Sequence, residues 1–178
     1  MSSTSLGQVV EVELIPDFPT LLRQHQRMVF SIALHIVRDR MAAEEVAQDV
    51  FLKLHQCLFS MKSAAHIEFW LRRVTVHRAI DYGRKHRSDP DVALDELQMP
   101  AAENAVSDPF LAKRLQALVA SLPEKARAVV VLRYQEDLMP EEIAKLLEMP
   151  VGTVKSHLQR SLAMLREKLG RTLGEAAV

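Results

Sequence analysis

Between Gly152 and Arg160 the chain reads Gly-Thr-Val-Lys-Ser-His-Leu-Gln-Arg. At 100° per helical residue, Gly152, Thr153, Ser156, Gln159 and Arg160 gather on one face, with Lys155 and His157 on its flanks. Val151, Val154, Leu158, Leu162 and Leu165 fall opposite, inside an arc of about 80°. Short polar groups beside long cations are the chemistry of a helix read against a DNA groove. Arginine or lysine pairs with guanine edges, glutamine with adenine, and the free N–H groups of a helix start attract phosphate. A helical hairpin with a solvated polar face satisfies the same spacing.

A second concentration of charge lies at residues 69–87, where Arg72, Arg73, Arg78, Arg84, Lys85 and Arg87 face a single acid, Asp81. Cations near Phe69, Trp70 and Tyr82 suit an opened nucleic-acid strand, whose phosphates need charge and whose unstacked bases need surfaces. Trp70 taken alone fits a core position equally well. A third set, Glu44, Glu45, Gln48, Asp49 and Leu52, forms a polar stripe beside an apolar one, suited to docking on a basic helix; a solvated acidic face reads the same way.

The residue types needed for catalysis do not come together. No Gly-x-Ser-x-Gly, phosphate-binding glycine loop or convergent carboxylate pair is present. His55 and Cys57 lie two apart, on different faces of a helix, so no metal site and no cofactor are expected. The lone Cys57 excludes an internal disulfide and fits a reducing compartment. No apolar run approaches the ~18 residues that span a bilayer and no secretory signal opens the chain, so a cytoplasmic protein without membrane insertion is expected.

The elements that must position these groups are helical. Glycine is scarce among the 178 residues, 48% of them are hydrophobic, and strong helix formers dominate. A mobile tail is expected over 1–16, then a helix starting at Asp17 and Pro19 and carrying Leu21, Leu22, Val29, Ile32, Ala33 and Ile36 on one broad face. Further helices are expected over about 41–58, with Val46, Val50, Phe51 and Leu54, and over 64–87, with Ile67, Leu71, Val74 and Ile80.

Residues 88–108 break this pattern. They hold Pro90, Pro100 and six acids with no base, which marks a linker between two domains, 17–87 and 109–170, with a short tail over 171–178. The formal net charge of zero therefore hides a segregation of acid from base. In the second domain Leu111, Leu115, Leu118 and Leu122 mark one helix. Pro123 opens the next, with Val129, Val130 and Leu132; Ile143, Leu146 and Leu147 mark a third, and Met149-Pro150 breaks to the last helix, which ends near Leu169.

The wording of these segments resembles a known family. Leu-Pro-Glu-Lys-Ala-Arg-Ala-Val-Val-Val-Leu-Arg-Tyr from Leu122, Glu-Glu-Ile-Ala from Glu141 and Val-Gly-Thr-Val-Lys-Ser-His-Leu from Val151 look like domain four of extracytoplasmic-function sigma factors. Ala42 to Leu54 and Phe69 to Arg87 resemble domain two. The resemblance implies an all-α protein of two small helical domains joined by a flexible acidic linker, acting as an alternative sigma factor in promoter recognition, promoter opening and transcription initiation. Contact with the −35 element is implied for Thr153, Lys155, Ser156, His157, Gln159 and Arg160. Contact with the −10 element is implied for Trp70, Arg72, Arg73, His77, Arg78, Arg84 and Lys85. Docking on the clamp helices of the core RNA polymerase large subunit is implied for Glu44, Glu45, Gln48, Asp49 and Leu52.

An anti-sigma protein is a further implied partner, and the acidic linker is implied to thread toward the polymerase active-site channel. His157 stands where the family has arginine, His77 where it has asparagine, and Met139-Pro140 where it has a serine cap and an aromatic. The last change leaves its helix without a good N-cap. A stand-alone helix-turn-helix regulator is the other reading, and an adaptor that never touches DNA a third. The acidic stripe at Glu44–Asp49 separates the first two, and the basic face at Lys155–Arg160 separates both from the third.

Overall fold

The computed structural model describes residues 15–86 and 109–175, with side chains over 15–86 and 114–170. Arg87, the expected acidic linker and nearly all of the expected N-terminal tail lie outside the described residues. Every regular element among those described is helical: α1 (Phe18–Val37), α2 (Arg40–Cys57), a 3-10 turn (Leu58–Ser60), α3 (Ala64–His86), α4 (Pro109–Ala120), α5 (Glu124–Tyr134), α6 (Pro140–Leu147) and α7 (Val151–Glu175). The last helix thus continues past Leu169, and α4 ends before Leu122. None of the described helices is long and apolar enough to cross a membrane.

Local chemistry fixes the helix ends. Asp17 accepts from the Thr20 amide at 3.1 Å and caps α1, while Asp39 accepts from the Ala42 amide at 2.6 Å and caps α2. Arg38 closes α1 in the left-handed region, φ 69°, so the chain reverses between α1 and α2 without a glycine. Glu148 does the same after α6, φ 52°, and sets the turn into α7.

Helices α1–α3 enclose one core, with Leu21, Val29, Ala33, Val46, Val50, Leu54, Ile67 and Leu71 buried together. A small cluster of Leu122, Val130 and Leu165 ties α5 to α7. The third core belongs to neither half alone: Ile32 and Ile36 of α1 and Val76 and Ala79 of α3 pack with Ala128, Val129 and Leu132 of α5, Ile143 and Leu146 of α6, and Val154 of α7. The broad apolar face of α1 therefore serves two cores. Its Leu21 and Val29 turn inward to α2 and α3, and its Ile32 and Ile36 turn toward the C-terminal helices.

Candidate nucleic-acid interface

The helix-turn-helix is formed by α6 and α7. Ile143, Ala144, Leu146 and Leu147 bury one side of α6, and Val154, wholly buried, anchors the start of α7 against it. The amide of Met149 donates to Ala144 O at 3.1 Å across the turn. That seating leaves Thr153, Lys155, Ser156, Gln159 and Arg160 exposed on one side of α7, with His157 half-buried at its edge. A methyl group added at Gly152 would meet nothing within 4 Å, so the backbone there is open to close approach. Lys155 Nζ lies 3.2 Å from Glu141 Oε1 on α6. The Glu141 carboxyl is held below its ordinary value by backbone hydrogen bonding at the α6 start, and then by Lys155.

Met139 makes no side-chain cap on α6, as its apolar type dictates. The start is rescued from the other direction, because the Met139 amide donates to Glu142 Oε2 at 2.7 Å, half of a capping box.

The residues expected to engage an opened strand are spread around α3. Trp70 is half-buried against the N-terminal core, and Arg84 and Lys85 are exposed at the helix end. Arg78 lies 3.8 Å from Asp49 of α2. His77 donates through Nδ1 to Arg73 O at 2.8 Å, so its other ring nitrogen is left for outside contacts. Arg72 and Arg73 point to the C-terminal half. Arg72 bonds Glu68 at 2.7 Å and Glu136 at 3.0 Å, and Arg73 pairs with Glu148. Arg73, His77 and Arg78 line a recess of about 430 Å³ together with Lys53, Val74, Asp81 and Glu148. The pairing acids Glu136 and Glu148 carry no signal in the sequence, where both sit in turns.

On α2, Glu44, Glu45, Gln48, Asp49 and Leu52 are all exposed, Leu52 at 62%. Of these, Glu44, Gln48 and Leu52 line a groove of about 660 Å³ between α1 and α2, whose apolar lining includes Phe18, Leu22, Phe30 and Phe51. Arg27, Arg40 and Glu44 are the charged groups of that lining, with Arg40 paired to Glu44 at 3.0 Å, and the exposed carboxylates of Glu45 and Asp49 lie on the same helix beside it. Among the described residues, no three His, Cys, Asp or Glu side chains converge as metal ligands would.

Residues 21–88 match the family model described as sigma-70 region 2, and residues 112–165 match sigma-70, region 4. The ECF RNA polymerase sigma factor SigE of Mycolicibacterium smegmatis is 31% identical over 169 residues, which cover 92% of this chain and 65% of that protein. The chain thus spans just under two thirds of that relative's length. The RNA polymerase sigma-E factor of Streptomyces coelicolor is 31% identical over 166 residues, covering 92% of this chain and 89% of that one. Among solved structures, the sigma factor RpoE of Bartonella quintana, in complex with the anti-sigma factor NepR, has a TM-score of 0.68 at 19% identity, covering 88% of this chain and 98% of that one. At that identity the likeness concerns the fold.

Proposed function

Because the chain belongs to the extracytoplasmic-function group of the sigma-70 family, we propose that it binds core RNA polymerase and directs it to promoters as an alternative sigma factor. One observation carries the reading. A single chain presents the exposed polar face of α7, from Thr153 to Arg160, and the exposed acidic stripe of α2 beside an apolar groove. A stand-alone regulator needs the first and has no use for the second.

The proposed division of labour is by helix. Thr153, Lys155, Ser156, His157, Gln159 and Arg160 read the −35 element in the major groove, with Gly152 allowing the backbone near the phosphates. Trp70, Arg72, Arg73, His77, Arg78, Arg84 and Lys85 of α3 hold the −10 strand. Glu44, Glu45, Gln48, Asp49 and Leu52 dock on the polymerase clamp helices. The domain division at 17–87 and 109–170 follows the same two grips. Opening of the duplex comes from binding that favours the unpaired strand, not from catalysis. An anti-sigma protein, of the kind bound to the Bartonella relative, is a further partner, and the site of action is the cytoplasm.

The test is transcription from a promoter library by purified core polymerase with and without the chain. Chain-dependent initiation at a defined promoter set is expected. Tight promoter binding without polymerase, together with no chain-dependent initiation, would establish the stand-alone regulator instead.

A further inference from the structure

The groove between α1 and α2 has largely apolar walls. Phe18, Leu22 and Phe30 come from α1, and Ala47, Phe51 and Leu52 from α2. An accessible apolar groove of this kind marks a binding surface. Its two cations, Arg27 and Arg40, are both exposed. Arg40 is shared between Glu44 and the face of Phe30, 5.6 Å from the ring centroid. Arg27 has no carboxylate partner among the described residues.

We propose that residues 9–14 of this same chain, Val-Val-Glu-Val-Glu-Leu, lie in that groove in the free protein and must leave it before polymerase docks there. The effect on polymerase rests on the sigma-factor reading above; the occupancy of the groove does not. Attachment, length and composition carry the proposal. Ile15 packs against the N-terminal core, Asp17 caps α1, and Phe18 of the groove lining meets His55 of α2 edge-on at 4.9 Å. The chain therefore enters α1 at the mouth of the groove.

Phe18 and Phe30 are the outermost α1 residues of the lining, about 18 Å apart along a helix that rises ~1.5 Å per residue. Six extended residues span about 20 Å at ~3.3 Å each. A segment attached at Ile15 and running back beside α1 thus covers the groove from end to end. In an extended segment alternate side chains share a face, which sets Val10, Val12 and Leu14 together and Glu11 with Glu13 opposite. The apolar face matches the phenylalanine walls. Residues 1–14 hold those two acids and no base, the complement of Arg27 and Arg40.

A spin label at Val12→Cys, in the full chain with Cys57→Ala, tests the position. Amide signals of Gln26, Phe30, Ala47 and Phe51 should broaden at least threefold more than those of Arg160 and Met164 on α7. No such broadening should appear when isotope-labelled chain is mixed with spin-labelled, isotope-free chain. Equal broadening over both regions would overturn the proposal, and groove broadening in the mixed sample would overturn it in favour of a second copy. Val12→Ser with Leu14→Ser should then raise the full chain's affinity for core polymerase about fivefold, the gain expected if about four-fifths of free molecules are covered. Unchanged affinity would overturn the competition with polymerase. If neither chain binds core polymerase, the sigma-factor reading fails, and the spin label still decides what fills the groove.

Discussion

Arg38 and Arg127 donate to the same oxygen, the carbonyl of Ala120, at 3.1 and 2.9 Å. That carbonyl belongs to the last turn of α4, where C=O groups lack intrahelical donors and the helix dipole favours cations. Arg38 comes from the end of α1 and Arg127 from α5, so one acceptor joins three helices and both halves of the chain. Burial holds the Arg38 guanidinium below its ordinary value, consistent with its place between the two halves. Arg38→Met and Arg127→Met should each cost about 1 kcal/mol while the other donor remains. The double variant should cost more than their sum, because only then does the partly buried acceptor lose both guanidinium donors. Urea denaturation of the four proteins measures this coupling, and strictly additive losses would refute it.

Much of this architecture is legible in the sequence, and the core shared by the two halves is not. Asp17 and Asp39 announce their helices through the ability of a short carboxylate to accept backbone N–H groups. The spacing of Val154, Leu158 and Leu165 fixes which side of α7 turns outward. Periodicity marks Ile32 and Ile36 as buried but cannot say what buries them. They read as one stripe with Leu21 and Val29, although the two pairs face different cores. Glu136 and Glu148 stand in turns where acids are ordinary, and their pairing with Arg72 and Arg73 depends on the packing of elements distant in sequence. In the same way, the charge run of α3 is plain from the residues, while the engagement of part of it by the C-terminal half is not.

The start of α6 is open to improvement. Met139 is 56% exposed, sits at the cap position with extended backbone, and contributes no side-chain acceptor. Met139→Ser should stabilise the protein by about 1 kcal/mol, since the hydroxyl would accept from the Glu142 amide while Glu142 keeps its bond to residue 139. Glu142→Ala should destabilise by a similar amount. A urea midpoint that falls on introducing the serine would exclude the half-box account of this helix start.

Arg160 lies on the exposed face of α7, one residue before the buried Ser161, so its backbone is held while its side chain is free to reach a base edge. Arg160→Ala should weaken binding to the preferred −35 sequence by about 1–3 kcal/mol and relax the preference at one position. Lys155→Ala should instead weaken all sequences alike and lower the salt dependence by about one counterion. Binding measured against a set of single-base variants over a range of salt separates the two effects. An unaltered base preference in the Arg160 variant would remove that residue from the reading set.

His35 makes the fold sensitive to acid. Its Nδ1 donates to Ser31 O at 2.7 Å, and Glu136 of the C-terminal half is the charged group that acts on the ring. Burial pushes its pKa below the ordinary 6.5, and this outweighs the upward pull of the Ser31 carbonyl and of Glu136. The native form therefore prefers neutral imidazole. Above pH 6.5 neither the folded nor the unfolded chain holds the proton, and the stability that this preference supplies is fully present. As pH falls below 6.5 the unfolded chain takes up a proton that the folded one resists, so stability declines until the depressed folded value is reached. His25, lowered in the same direction by burial, adds to the slope. Urea titrations between pH 5 and 8 should show wild-type stability falling toward the acid end, and His35→Gln, which cannot titrate, should flatten that fall while His25 keeps a residue of it. A slope unchanged by the substitution would show that His35 does not carry the acid sensitivity of the fold.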